Sequence, residues 1–193
     1  MAKLSTFRGL LLALLVATAV TRIEAEVDNI DYDFRDFLQE GKTIWVRNTS
    51  EPGTITCRKD TLFKVDNRNA SFERHFKNNS KSFQGSMKGE FFNWHHWEDP
   101  THTPYDSMAV SNTENVHKTD EILELLDAKN DCAVVKVILG DLSNEGFPTV
   151  WRELRVSEAA LTKSPSKECL DYFKLAAGGN PRPTYSPDCH QMP

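Results

Sequence analysis

Most of the short patterns that announce chemistry are missing from these 193 residues. There is no Gly-x-Ser-x-Gly elbow, no phosphate-cradling glycine loop and no His-Glu-x-x-His pair, which removes the motif-bearing hydrolases, nucleotide binders and zinc proteases. A Cys-x-x-Cys pair is also lacking, so the usual zinc spacings fail. No block of Lys or Arg occurs, and 23 basic residues face 28 acidic ones for a net charge of −5. That sign does not suit nucleic acid or anionic lipid. After residue 25 no apolar run is long enough to span a bilayer. A catalytic triad built from distant segments would leave no local pattern, but nothing else in the chain argues for an enzyme, and none is expected.

What is present begins with a leader. Lys3 and Arg8 precede an apolar run from Leu10 to Val20, and Glu24-Ala25 offers a small residue for cleavage. Residues 1–25 read as a secretory signal peptide and residues 26–193 as a single exported domain. Removing the leader, with Lys3, Arg8, Arg22 and Glu24, deepens the net charge to about −7. Cys57, Cys132, Cys169 and Cys189 then read as two disulfides, with three pairings open. Sequons at Asn48, Asn69 and Asn78 are candidate glycan sites, which must face water if occupied.

Along the exported part, Ile30, Phe34, Phe37 and Leu38 make one helical stripe that Gly41 stops. Eight short runs rich in Val, Ile, Thr and aromatics follow, at 42–48, 54–66, 70–77, 82–94, 105–112, 119–127, 132–139 and 148–156. The run at 119–127, TDEILELLD, also suits a helix, but hairpin-distance neighbours favour a strand. Ser164-Pro165 can then cap a helix carrying Cys169, Phe173 and Ala176 on one face, ended by Gly178-Gly179. The proline-rich tail to residue 193 should lie extended, tied by Cys189. Eight antiparallel strands in a row leave two edges unless they close, and an eight-stranded barrel has room for side chains or one small ligand. The expected fold is all-β: an up-and-down barrel with a short N-terminal helix and a C-terminal helix.

The stretch EFFNWHHWEDPTH, residues 90–102, gathers the densest chemistry. Neighbouring histidines on a strand point to opposite faces, so His95 and His96 make a poor pair of metal ligands, and no metal is expected. The plain reading packs Trp94 and Trp97 at a strand end with the histidines wet. A third reading turns one alternating pair inward as cavity lining, and Phe92 with Trp94 is the pair favoured over Phe91 with Asn93.

The order of elements, with the texts DCAVVKV, NEGFPTVWRELRV, SPSKEC and YSPDC, resembles the tick salivary lipocalins of the histamine-binding-protein group, over essentially the whole exported chain. The resemblance implies the lipocalin fold and the pairings Cys57–Cys189 and Cys132–Cys169. It also implies a secreted salivary, non-enzymatic binder that holds a small mediator or lipid and weakens host immune and inflammatory responses, without a cofactor. The Japanin-like branch, described as holding cholesterol, is the branch suspected here. Histamine-binding members carry a carboxylate two residues before the eighth-strand tryptophan. Thr149 stands at that place here, which favours a sterol, fatty acid or eicosanoid over an amine, because an unpaired buried cation costs several kcal/mol. Glu153, on the same face, keeps a histamine or serotonin scavenger in play, with Asp106 as its helper. The expected ligand-contacting set is Phe72, Phe92, Trp94, Tyr105, Met108, Thr149, Trp151 and Glu153, with Trp45 structural. A host immune-cell surface protein is the second expected partner, and a homodimer a further arrangement.

Overall fold

The computed structural model describes residues 32–79, 81–140 and 148–192. The leader, Ile30 and the Asn144-Glu145-Gly146 turn lie outside the described residues.

Helix α1 (Phe34–Phe37) is shorter than its stripe predicts. Asp33 caps it, accepting from Arg35 N at 2.9 Å, and the chain leaves through Leu38 in an extended conformation. Both phenylalanines are fully buried, so the stripe was right about the face and wrong about the length. Gly41, at φ 78°, makes the turn into the first strand, a conformation that few residues other than glycine adopt.

Eight antiparallel strands follow: β1 (Thr43–Thr49), β2 (Ile55–Val65), β3 (Asn69–Asn78), β4 (Lys81–Phe92), β5 (Ser107–Asn112), β6 (His117–Leu126), β7 (Cys132–Leu139) and β8 (Thr149–Ser157). Each pairs with the next, and β1 pairs with both β8 and β2, which closes the ring. Closure removes the two edges that an open sheet would expose. Residues 119–126 of that run fall in β6, with Asp127 just past its end, and the register shift between Leu123 and Leu125 explains the helix-like spacing. The bulge lets Leu123 and Leu126 face the interior while Leu125 packs outside.

A second shift lies in β2 between Thr56 and Lys59, where Cys57 adopts φ 54°. There Cys57 joins the outer cluster, and Arg58 turns to the inner side, where it meets Glu153.

The outer layer is helix α2 (Lys167–Ala177), whose Cys169 and Phe173 pack on Trp45, Leu125, Val134, Leu154 and Val156. Its N-cap is Ser166, which accepts from Cys169 N at 3.3 Å, rather than Ser164, and Pro165 precedes the helix. Gly178 and Gly179, at φ 57° and 52°, end it. A two-residue strand β9 (Arg182–Pro183) then pairs with β1. The tail stays on the wall through Thr184, whose Oγ1 donates to Val46 O at 2.7 Å. Cys57–Cys189 and Cys132–Cys169 are the disulfides, spanning 132 and 37 residues. Trp45 faces outward beneath this tail, with its ring 5.3 Å from Tyr185 and 5.2 Å from His190. There it packs as wall, away from the barrel interior.

Candidate functional site: the barrel interior

One end of the barrel is a floor. Phe34 N donates to Tyr105 O at 2.9 Å and Phe91 N to Arg68 O at 2.8 Å, which draws α1, the β2–β3 turn and the β4–β5 connection together. Phe34, Phe37, Leu62, Phe72, Phe91, Met108 and Val110 fill the space above with almost no exposure. Gly89 makes room for Met108: a Cβ there would lie 2.1 Å from its sulfur. The lower interior is therefore packed, not hollow.

Above the floor lies a layer of charge. Alternation along the strands aims Arg58 and Asp60 (β2), Arg74 (β3), Glu121 (β6), and Glu153 and Arg155 (β8) at the axis. Arg155 bridges Glu121 at 2.5 Å and Glu153 at 2.7 Å. Arg74 bridges Asp60 at 2.7 Å and Glu121 at 2.9 Å, with its guanidinium 5.3 Å from the Phe72 ring centre. Arg58 joins Glu153 to Glu51, the latter at 3.0 Å, and Trp151 Nε1 donates to Glu153 at 3.0 Å.

Such a layer persists only because each charge is answered. Burial alone would raise the Glu153 carboxyl, but Arg155, Arg58 and the Trp151 donor overcome it and hold it down at about 2. Glu121 is lowered in the same way against its burial, chiefly by Arg155 and Arg74. Burial opposes the Arg155 charge as well, but Glu121 and Glu153 outweigh it and raise that guanidinium further. Removing one partner from such a pair costs about 3–5 kcal/mol, because the other charge is left buried and alone.

One polar atom in the layer is unmatched. Arg58 Nε is buried and has no hydrogen-bond partner among the described residues. Arg58, Asp60, Thr119 and Trp151 keep 8, 8, 7 and 5% of their surface exposed, while Phe34, Phe37 and Phe91 keep none. Tyr105 in the floor and the interior Leu126 keep 5 and 8%, so exposure is low at both levels of the barrel. Residues 141–147, between β7 and β8, lie outside the described residues.

The expected ligand-contacting residues separate into three places. Phe72, Met108, Trp151 and Glu153 are interior, and Tyr105 is built into the floor, stacked on Phe91 at 6.4 Å. Thr149 is exposed at the start of β8. Phe92 and Trp94 do not point inward: Phe91 takes the interior side of β4 and Asn93 is buried, which reverses the expected pair. Phe92, Trp94 and Trp97 instead line an open pocket of about 340 Å³ on the opposite side of β4. Asp106 does not reach into the charged layer: its Oδ1 accepts from Trp94 N at 2.7 Å and Ser107 Oγ at 3.0 Å. Among the described residues no three His, Cys, Asp or Glu side chains converge as metal ligands, although the His96 and His102 rings stack at 3.7 Å. Asn48, Asn69 and Asn78 are all partly exposed.

Sequence reasoning missed Arg58, Asp60, Arg74, Glu121 and Arg155. Their signal was present as alternation: Arg58-x-Asp60-x-Leu62, Phe72-x-Arg74, Glu121-x-Leu123 and Trp151-x-Glu153-x-Arg155 each put charge in register with a core residue.

No family model and no curated protein matches this chain. Solved structures do. One reported as the AM182 serotonin complex is 16% identical, with a TM-score of 0.59, covering 86% of this chain and 97% of that one. The siderocalin Ex-FABP is 12% identical at a TM-score of 0.47, covering 71% and 83%. The odorant-binding protein from bovine nasal mucosa is 12% identical at 0.42, covering 77% and 85%. At such identities the likeness is one of fold. The fold is that of the lipocalins: a closed eight-stranded antiparallel barrel with two helices and two disulfides.

Proposed function

We propose that this chain is an exported, non-enzymatic carrier that takes one small apolar ligand into the barrel from the end opposite the floor. The ligand is of sterol, fatty acid or eicosanoid type and carries an oxygen acceptor that meets Arg58 Nε. The observation that carries the reading is that buried, unpartnered donor inside an otherwise saturated layer of charge. A buried donor left unmatched costs about 1–3 kcal/mol, which a ligand oxygen would recover.

Charge balance sharpens the class. Arg58, Arg74 and Arg155 face Asp60, Glu121, Glu153 and Glu51, so the site already holds one acid in excess. A neutral hydroxyl or carbonyl satisfies Arg58 without adding to that excess, whereas a free carboxylate adds to it. The sterol type is accordingly favoured. In an exported salivary protein, as the sequence resemblance suggests, sequestering such a molecule would modulate the host's immune or inflammatory response.

The same excess acid supports a second reading. Glu51 keeps 13% side-chain exposure, and the relative solved with serotonin binds an amine. An amine here would pair with the less buried Glu51, whose carboxylate oxygens meet Arg58 alone among the described residues, rather than with the fully buried Glu153, whose two oxygens are shared by Arg58, Arg155 and Trp151. Titrating the secreted protein with cholesterol, oleate, serotonin and histamine separates the readings. Sterol binding that falls in an Arg58→Lys variant supports the first, and amine binding that is lost in Glu51→Gln supports the second. A host surface protein engaging the outer wall is a third reading, which a pull-down with the glycosylated protein addresses.

A further inference from the structure

From the open pocket outside the barrel we infer a second, independent binding site, for a methylated ammonium group. Its walls are Phe92, Trp94 and Trp97, and it encloses about 340 Å³. Phe92 and Trp94 stand 6.1 Å apart between ring centres at a tilt of 46°, which leaves their faces splayed rather than stacked on each other. Trp97 is 73% exposed. With Phe92 and Trp94 it makes one shared aromatic surface rather than a singly scattered side chain, and such patches mark binding sites.

The platform beneath the rings is braced. Asn93 Oδ1 accepts from His95 N at 3.0 Å and His96 N at 3.1 Å, and its Nδ2 donates to Pro104 O at 2.9 Å. Asp106 Oδ1 holds Trp94 N at 2.7 Å, and Asp99 Oδ1 accepts from Thr101 N at 2.9 Å and Thr101 Oγ1 at 2.7 Å. A connection tied at this many points fixes the backbone that carries the rings, so little backbone ordering opposes binding.

The walls select the ligand. Among the described residues they are aromatic only, so a guest is held there by π faces rather than by directed hydrogen bonds. Aromatic faces attract cations, and a methylated ammonium suits them best because its charge is spread over apolar methyl groups. Other rings of this protein already have a cation: Arg35 and Arg68 over Tyr105, Lys59 over Trp45, Arg74 over Phe72. Phe92, Trp94 and Trp97 have none among the described residues. The surrounding charge has the matching sign. Glu98 follows Trp97, and the Asp106 carboxylate lies against the Trp94 backbone. Hydrogen bonds from Thr101 keep the neighbouring Asp99 carboxyl below its ordinary value, and so ionised. Arg68, the nearby guanidinium, is occupied with Glu90 and Pro100 O.

The test titrates the full secreted chain with choline and with its uncharged isostere 3,3-dimethylbutanol, read by indole fluorescence and by the tryptophan Nε1–H signals in NMR. Choline should bind at least tenfold more tightly than the isostere. Trp97→Leu, which keeps bulk and removes the π face, should weaken choline about tenfold, and Trp97→Phe should retain most of the affinity. Phosphocholine and Nε-trimethyllysine carry the same head on different bodies, and the tighter of the two identifies the natural source. Equal binding of choline and the isostere, or no effect of Trp97→Leu, overturns the inference. Because the pocket lies outside the barrel, sterol binding in the Trp97 variants should match wild type, which keeps this result separate from that of the interior site.

Discussion

Glu153→Gln is the substitution that asks most of the charged layer. The change keeps the shape of the side chain and removes one of the carboxylates that Arg155 and Arg58 share. Holding a carboxyl at about 2 rather than 4.5 corresponds to about 3 kcal/mol of folding free energy. For a domain of this size that is a fall of about 6–12 °C in Tm. Its pH dependence follows from the direction of the shift. The folded carboxyl lies below its unfolded value, so the stabilisation is complete above about pH 4.5 and disappears as the pH falls towards 2. Urea unfolding of both proteins at pH 7, 4 and 2.5, disulfides intact, measures the gap. It should be about 3 kcal/mol at pH 7 and shrink steadily through the acid range. A gap below about 1 kcal/mol at pH 7, or one that does not change with acid, would refute the reasoning that these buried charges hold each other in place.

Further expectations concern the binding sites and the staples. Arg58→Lys keeps the charge but loses the Nε donor, and should weaken a sterol about tenfold in calorimetry. Gly89→Ala drives a methyl into Met108 and should cost about 1–3 kcal/mol in urea unfolding. By the chain-entropy argument, Cys132→Ser with Cys169→Ser should cost about 4 kcal/mol, and loss of the pair Cys57 and Cys189 about 5, because the second closes the longer loop.

The architecture could be read from the chain because local patterns set it. Eight alternating runs and the Gly41 and Gly178-Gly179 stops speak through neighbours in sequence, whereas the cysteine pairing, across 132 and 37 residues, came from the family resemblance. The interior was harder. Whether Phe91 or Phe92 faces inward depends on the phase of β4 within the closed ring, and a one-residue slip reverses every side chain. Arg58 reaches Glu153, 95 residues away in sequence, after a bulge that no composition rule announces. Buried Arg and Glu are rare enough that each, taken singly, reads as surface. They become a core feature only when the ring brings opposite signs together across the axis. The two helix corrections have the same origin: the cap falls on Ser166 and α1 stops at Phe37 because packing against the barrel sets the ends.

The most direct measurement is calorimetry of cholesterol and of serotonin with the secreted protein, wild type and Arg58→Lys, at neutral pH. The expected result is micromolar or tighter sterol binding that weakens in the variant, with serotonin much weaker in both. Serotonin binding without sterol binding, or sterol affinity untouched by the loss of the Arg58 Nε donor, would contradict the assignment of that buried donor as the ligand's anchor.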